Sequence, residues 1–191
     1  MCVICISPKG KAQPDFTTLF NMFSHNPHGA GYMYVKGGEV CIKKGFMYFP
    51  DYYRSIKKEG FTKDDVVIYH CRISTQAGVN KSMCQPFPFT DDLAKIRRLR
   101  ISSDMGIAHN GIIQITSDGN KRYSDTALFI ANILTQLIDD PMIPDIIGDL
   151  IGSKMVFLRS DGSFKTVGKW TKKDGLIFSN LYFEPRVFYK G

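Results

Sequence analysis

Cys2 stands directly behind the initial methionine in "MCVICIS". If Met1 is removed, Cys2 carries a free α-amine beside its thiol, a nucleophile and a base on one residue. If it is not, the same cysteine is a small apolar residue filling a strand. Three stretches further along carry matching chemistry. In "HCRIST", Arg72 is either a strand-edge cation or, turned inward, a planar guanidinium suited to bidentate capture of a carboxylate. In "AHNGII", Asn110-Gly111 is either a tight turn or a side-chain amide and a backbone N–H aimed at one oxyanion. In "YSDTALF", Asp125 either complements a helix N-terminus or holds an ammonium group.

These residues need rigid elements to bring them together. "CVICIS" alternates like a first strand, and "DVVIYHCRIST", β-branched and aromatic, reads as a central one. "PDFTTLFNMFSHN" spaces Phe16, Leu19, Phe20 and Phe23 as a helix does, with Pro14 near its start. "GAGYMYVKGGEVCIKKGF" is a hairpin turning at Gly37-Gly38, and "PDYYRSIKKEG" a short helix stopped by Gly60. "MGIAHNGIIQIT" reads as a strand pair or strand-turn-strand. "SDTALFIANILTQLIDD" is the strongest helix, with Ser124 as N-cap and Leu128, Ile130, Ile133, Leu134 and Leu137 apolar. A second short helix follows near Ile143–Ile151. "KMVFLRSDGSFKTVG" then forms a hairpin at Asp161-Gly162, and "GLIFSN" a last buried strand. Strands in antiparallel groups, with helices in separate blocks, predict an α+β fold rather than a βαβ repeat.

At 191 residues, with no repeat or linker-like tract, the chain reads as one domain over 1–191. Its 43% hydrophobic and 13% aromatic content is that of a folded core. No apolar run approaches the ~18 residues of a membrane span, and no secretory signal opens the chain, so a cytoplasmic protein is expected. Five cysteines are an odd number. Cys2 and Cys5 have the spacing of half a zinc ribbon, with no second pair to complete it. The four histidines (His25, His28, His70, His109) are dispersed, so no metal is expected. The net charge of +7, densest at Lys95, Arg97, Arg98 and Arg100, suits anionic substrates or nucleic acid. No nucleic-acid-binding signature accompanies it.

Taken in order behind Cys2, the stretches resemble the class II glutamine amidotransferase domain, a member of the N-terminal nucleophile hydrolases. His70-Cys71-Arg72-Ile73-Ser74-Thr75 is similar to that family's H-x-R-x-x-T motif, His109-Asn110-Gly111 to H-N-G, and Ser124-Asp125-Thr126 to S-D-T. Gln85-Pro86-Phe87 is similar to its Q/H-P-F segment, and "GAGYMY" to its early glycine-rich strand start. The resemblance runs from Cys2 to about Asn180. It departs from the family at Val3, where glycine is usual, at the extra residue in Thr75-Gln76-Ala77-Gly78, and at Met83, where asparagine is expected.

The resemblance implies a four-layer αββα sandwich of two antiparallel sheets flanked by helices. It implies Cys2 as nucleophile, Asn110 and Gly111 as oxyanion hole, and Arg72, Thr75, His109 and Asp125 around the substrate. That substrate would be glutamine, its side-chain amide hydrolysed through a Cys2 thioester without metal or cofactor. No synthase domain follows, so a separate ammonia-accepting synthase subunit is the expected partner. Two other readings stand beside it. One is an N-terminal-cysteine amidohydrolase acting on another γ-glutamyl or amide substrate, and the other a basic nucleic-acid-binding protein with a degenerate site.

Overall fold

The computed structural model describes residues 1–73, 80–114, 122–137, 147 and 151–185. Its strands are β1 (Val3–Ser7), β2 (Ala30–Lys36), β3 (Glu39–Phe46), β4 (Val67–Cys71), β5 (Phe87–Pro88), β6 (Arg100–Ser103), β7 (Met105–Asn110), β8 (Lys154–Arg159), β9 (Phe164–Val167), β10 (Thr171–Lys173) and β11 (Leu176–Phe178). Among them β1, β2 and β4 are β-branched and aromatic runs of the sequence. One sheet has seven strands in the order β10-β11-β1-β4-β2-β3-β6, and the second has four in the order β5-β7-β8-β9. Every pairing is antiparallel. The strand expected to be central, β4, is the middle one of the larger sheet.

The two-residue period of a strand decides what each face touches. On β1, Val3 and Cys5 point outward, into a cluster with Leu19, Met22 and Phe23 of α1 (Phe16–His25) and Tyr52 and Ile56 of α2 (Phe49–Glu59). Ile4 and Ile6 point inward, where they pack with Met33, Val40, Ile42 and Ile68 against Ala108, Val156 and Leu158 of the smaller sheet. Beyond that sheet, Ile107, Met155 and Phe157 pack against α4 (Asp125–Phe129) and its π-helical continuation Ile130–Leu134. Two antiparallel sheets stacked face to face, with helices on their outer faces, make an α+β sandwich. Val3 is fully buried among the outward-facing residues of β1, which is why an apolar side chain suits that position.

Several local expectations shift in the folded chain. In α1 the buried face is Leu19, Met22 and Phe23, while Phe16 and Phe20 are half exposed. Those two rings meet the neighbouring helix instead, 5.4 and 5.2 Å from the Phe49 ring and edge-on to it. The described residues of "MGIAHNGIIQIT", which end at Gln114, supply one strand, β7, whose partners are β5 and β8. The basic run becomes a short helix, α3 (Leu93–Ile96), and then β6 at the sheet edge. Ser124 is the N-cap of α4, its hydroxyl accepting from Ala127 N–H, but Leu137 beyond it is exposed. Strand β10, Thr-Lys-Lys, has no apolar alternation by which to find it. Thr75 and most of the helix expected near Ile143–Ile151 lie outside the described residues. No helix among the described residues is long and apolar enough to cross a membrane.

Candidate active site

The pleat that sends Ile4 inward gives Cys2 the same direction, and on β7 Asn110 shares the inward face of Ala108. Cys2, Asn110 and Gly111 therefore line one cleft at the end of the sandwich, about 620 Å³ in volume, with Met1, Ile73, Ser153, Lys154 and Lys169 among its other walls. Cys2 is half-buried. Ile73 N–H donates to its Sγ at 3.4 Å, and Asn180 Nδ2 donates to its carbonyl at 2.8 Å. Burial pushes the thiol above its ordinary pKa; the Ile73 N–H and the Arg72 charge pull the other way.

Asn110 ends β7 with its side chain buried. Its Nδ2 donates to Ser179 Oγ at 2.9 Å, and Ile4 N–H donates to the same hydroxyl oxygen at 2.9 Å. The amide oxygen, Asn110 Oδ1, is buried with no hydrogen-bond partner. An unmade bond of that kind costs about 1–3 kcal/mol. Gly111 follows, and no larger residue fits there. A Cβ would overlap Ser153 Cβ and lie 2.9 Å from Ser153 Oγ.

The remaining expected residues stand behind the cleft walls rather than in them. Arg72 is buried; its Nη1 lies 3.4 Å from the Asn80 carbonyl, and its charge acts on Cys2. Asp125 spends both carboxylate oxygens on the chain. Oδ2 accepts from Ile113 N–H at 2.8 Å and Oδ1 from Thr126 N–H at 2.7 Å, which ties the segment after Gly111 to the start of α4. His109 faces the helix side of its sheet. Its Nδ1 is 2.9 Å from Thr126 Oγ1, its Nε2 2.7 Å from Ser153 Oγ, and its N–H donates to Gln85 Oε1. Burial lowers its pKa to about 4, against the opposing pull of Asp125. Thr75 lies outside the described residues.

His70, beside Ile4 across the β1–β4 ladder, is fully buried. Neither ring nitrogen has a hydrogen-bond partner, and burial first, then the Arg72 charge, lowers its pKa to about 3. Among the described residues no three His, Cys, Asp or Glu side chains gather as a metal ion would require.

Several residues that build this site carry no motif. Ser179 and Asn180 follow β11 and bind Asn110 and the Cys2 backbone from the far end of the chain. Lys154 stands opposite Asn110 in the β7–β8 register, and Lys169 follows β9. Ser179 and Asn180 end the quoted "GLIFSN" and Lys154 opens "KMVFLRSDGSFKTVG", each read there only as part of a strand; nothing in the local pattern of Asn180 points to Cys2, 178 residues away. No family model matches the chain, and no curated protein matches it.

Proposed function

We propose that the chain is an N-terminal-cysteine amidohydrolase of the class II glutamine amidotransferase kind, with the sandwich of an N-terminal nucleophile hydrolase. The observation that carries this reading is the meeting in one cleft of Cys2 with Asn110 and Gly111, which lie more than a hundred positions further along the chain.

The chemistry follows from those groups. Once Met1 is gone, the Cys2 α-amine has a reference pKa of about 7.7–8.0, so a useful fraction is neutral near pH 7 and takes the thiol proton. The thiolate, steadied by Ile73 N–H, attacks the amide carbon of glutamine. Negative charge develops on the carbonyl oxygen, where the Asn110 amide and Gly111 N–H stabilise it. The protonated amine then gives its proton to the departing ammonia, and water hydrolyses the γ-glutamyl thioester to glutamate.

A half-turn of the Asn110 amide prepares it for this role. Ser179 O–H then donates to Oδ1 while its oxygen still accepts from Ile4 N–H. Nδ2 takes the place of the unpaired oxygen, and every group but the waiting donor is satisfied.

A second reading keeps this nucleophile and changes the substrate to another amide. It is favoured by the composition of the cleft walls, which include Lys154 and Lys169 but neither Arg72 nor Asp125.

The test is intact mass together with turnover. The purified protein is expected to lack Met1 and to release ammonia from glutamine or a related amide, and Cys2→Ala to abolish that release. Retention of Met1 in the cell, or unchanged turnover in the alanine variant, overturns the mechanism.

A further inference from the structure

Lys154 and Lys169 both line the cleft that holds Cys2, and no carboxylate is among its described lining residues. Their positions are built. Ser153, at the turn into β8, is bonded to His109 Nε2 at 2.7 Å and packs where Gly111 has no Cβ. On its other side Gly168 presses against it. At φ +83° this residue adopts a left-handed conformation, and a Cβ would come within 2.7 Å of the Ser153 carbonyl. Trp170 Nε1 donates to the Val167 carbonyl at 2.8 Å and closes the turn that carries Lys169. Two glycine-permitted contacts and two hydrogen bonds thus hold two separate chain segments against the oxyanion end of β7.

Lys154 is directly opposite Asn110 in the antiparallel ladder, so the two side chains leave the same face of the sheet. Its ammonium donates to the Ser179 carbonyl, which anchors it. An ammonium has three N–H donors, so two remain for a ligand. Lys169, exposed at the rim, adds a second positive charge. The cleft volume of about 620 Å³ falls in the ~300–1,000 Å³ range of sites that enclose a ligand larger than a single amino acid.

We infer that Lys154 and Lys169 form an anion subsite beside Cys2, which takes a carboxylate or phosphate carried by the amide substrate outside its scissile bond. This rests on the amidohydrolase reading for the reaction, though not for binding of the anion. The substrate is then an anionic amide longer than free glutamine, laid with its amide at Cys2 and its charged end at the lysines. Lys154 fixes the inner oxygen and Lys169 the outer one.

The test separates binding from turnover. In the processed protein, alkylation of Cys2 by iodoacetamide is followed by peptide mass with inorganic phosphate, succinate or chloride at equal ionic strength. Protection by phosphate or by succinate is expected, and which of the two is stronger names the anion. Lys169→Ala is expected to weaken the protection roughly tenfold, the loss of one charge-assisted contact. Lys169→Glu weakens it further, and Lys58→Ala on the remote helix α2 serves as the charge-matched control. In turnover, Lys169→Ala lowers kcat/KM for anionic amides through KM. Equal alkylation rates in all three salts, or protection unaffected by Lys169→Ala, overturn the subsite. Protection that depends on Lys169 in a protein that turns over no amide upholds the subsite and overturns the amidohydrolase reading.

Discussion

Asn110 Nδ2 and Ser179 Oγ lie 2.9 Å apart, and the same Ser179 hydroxyl accepts from the backbone N–H of Ile4, two residues beyond Cys2. One hydroxyl thereby couples the strand that follows Cys2, the proposed nucleophile, to the Asn110 amide of the proposed oxyanion hole. Ser179→Ala removes the acceptor from both donors and is expected to cost about 1–3 kcal/mol of stability. It is also expected to lower kcat about tenfold with little change in KM, and Ser179→Thr to restore most of the rate. Loss of stability with kcat untouched would make Ser179 structural only.

Asn110→Ala removes the side-chain amide of the proposed oxyanion hole. The expected loss is about 10²–10³ in kcat, with Cys2 still open to alkylation. Steady-state rates and Cys2 labelling in one preparation check both halves of this statement. A variant that turns over normally would place the oxyanion elsewhere.

Gly111→Ala forces a methyl into Ser153. Because Ser153 is held by His109 and packed against Gly168, neither neighbour yields cheaply. Overpacking of this kind costs about 1–3 kcal/mol, so a lower thermal midpoint is expected together with loss of turnover. An unchanged midpoint would mean that the Gly152–Lys154 segment gives way freely.

Asp125, in the first turn of α4, accepts from Ile113 N–H with one carboxylate oxygen and from Thr126 N–H with the other. Asp125→Ala is expected to lose about 1–2 kcal/mol, visible in urea denaturation. Asp125→Asn keeps one acceptor oxygen and so retains more of that stability, but it removes the negative charge. If Asp125 also meets a substrate ammonium, the asparagine variant raises KM for glutamine about tenfold; an unchanged KM confines the residue to holding the loop.

Acid destabilises this fold through two histidines. His70 and His109 have native pKa values lowered to about 3 and about 4, while an unfolded histidine titrates near 6.5. Between those values the unfolded chain binds protons that the native one refuses. Stability is therefore complete above about pH 6.5 and falls, by several kcal/mol in order of magnitude, as pH drops toward 4. Urea midpoints at pH 7.5, 5.5 and 4.5 should decline steadily, and His70→Leu should flatten part of the slope. Imidazole resonances of His70 and His109 that titrate near pH 6.5 would refute the assignment.

Much of the frame was readable along the chain because its signals are local. The Gly37-Gly38 turn, the helix starts near Pro14 and at Ser124, the Asp161-Gly162 hairpin and the buried run of β4 each depend on a few neighbouring residues. The facing of α1 was not readable, since Phe16 and Phe20 satisfy helical spacing equally well whether they meet a sheet or the rings of α2. Strand β10 carries no apolar signal, and the 105–116 stretch alternates like a hairpin, whereas its described strand, β7, pairs with β5 and β8.

By itself the sequence determined the residue types and their order: a cysteine at position 2, an Asn-Gly after an apolar strand, an Arg and an Asp placed for charge. Only the tertiary structure decided which of them share a space. Strand parity turned Cys2 and Asn110 into the gap between two sheets, while Asp125 and His109 were committed to the chain behind it. Ser179, Lys154 and Lys169 entered the site through sheet pairing and loop packing, which join residues far apart in the chain. No local pattern encodes such pairings, because a strand's partner is selected by the whole core it completes.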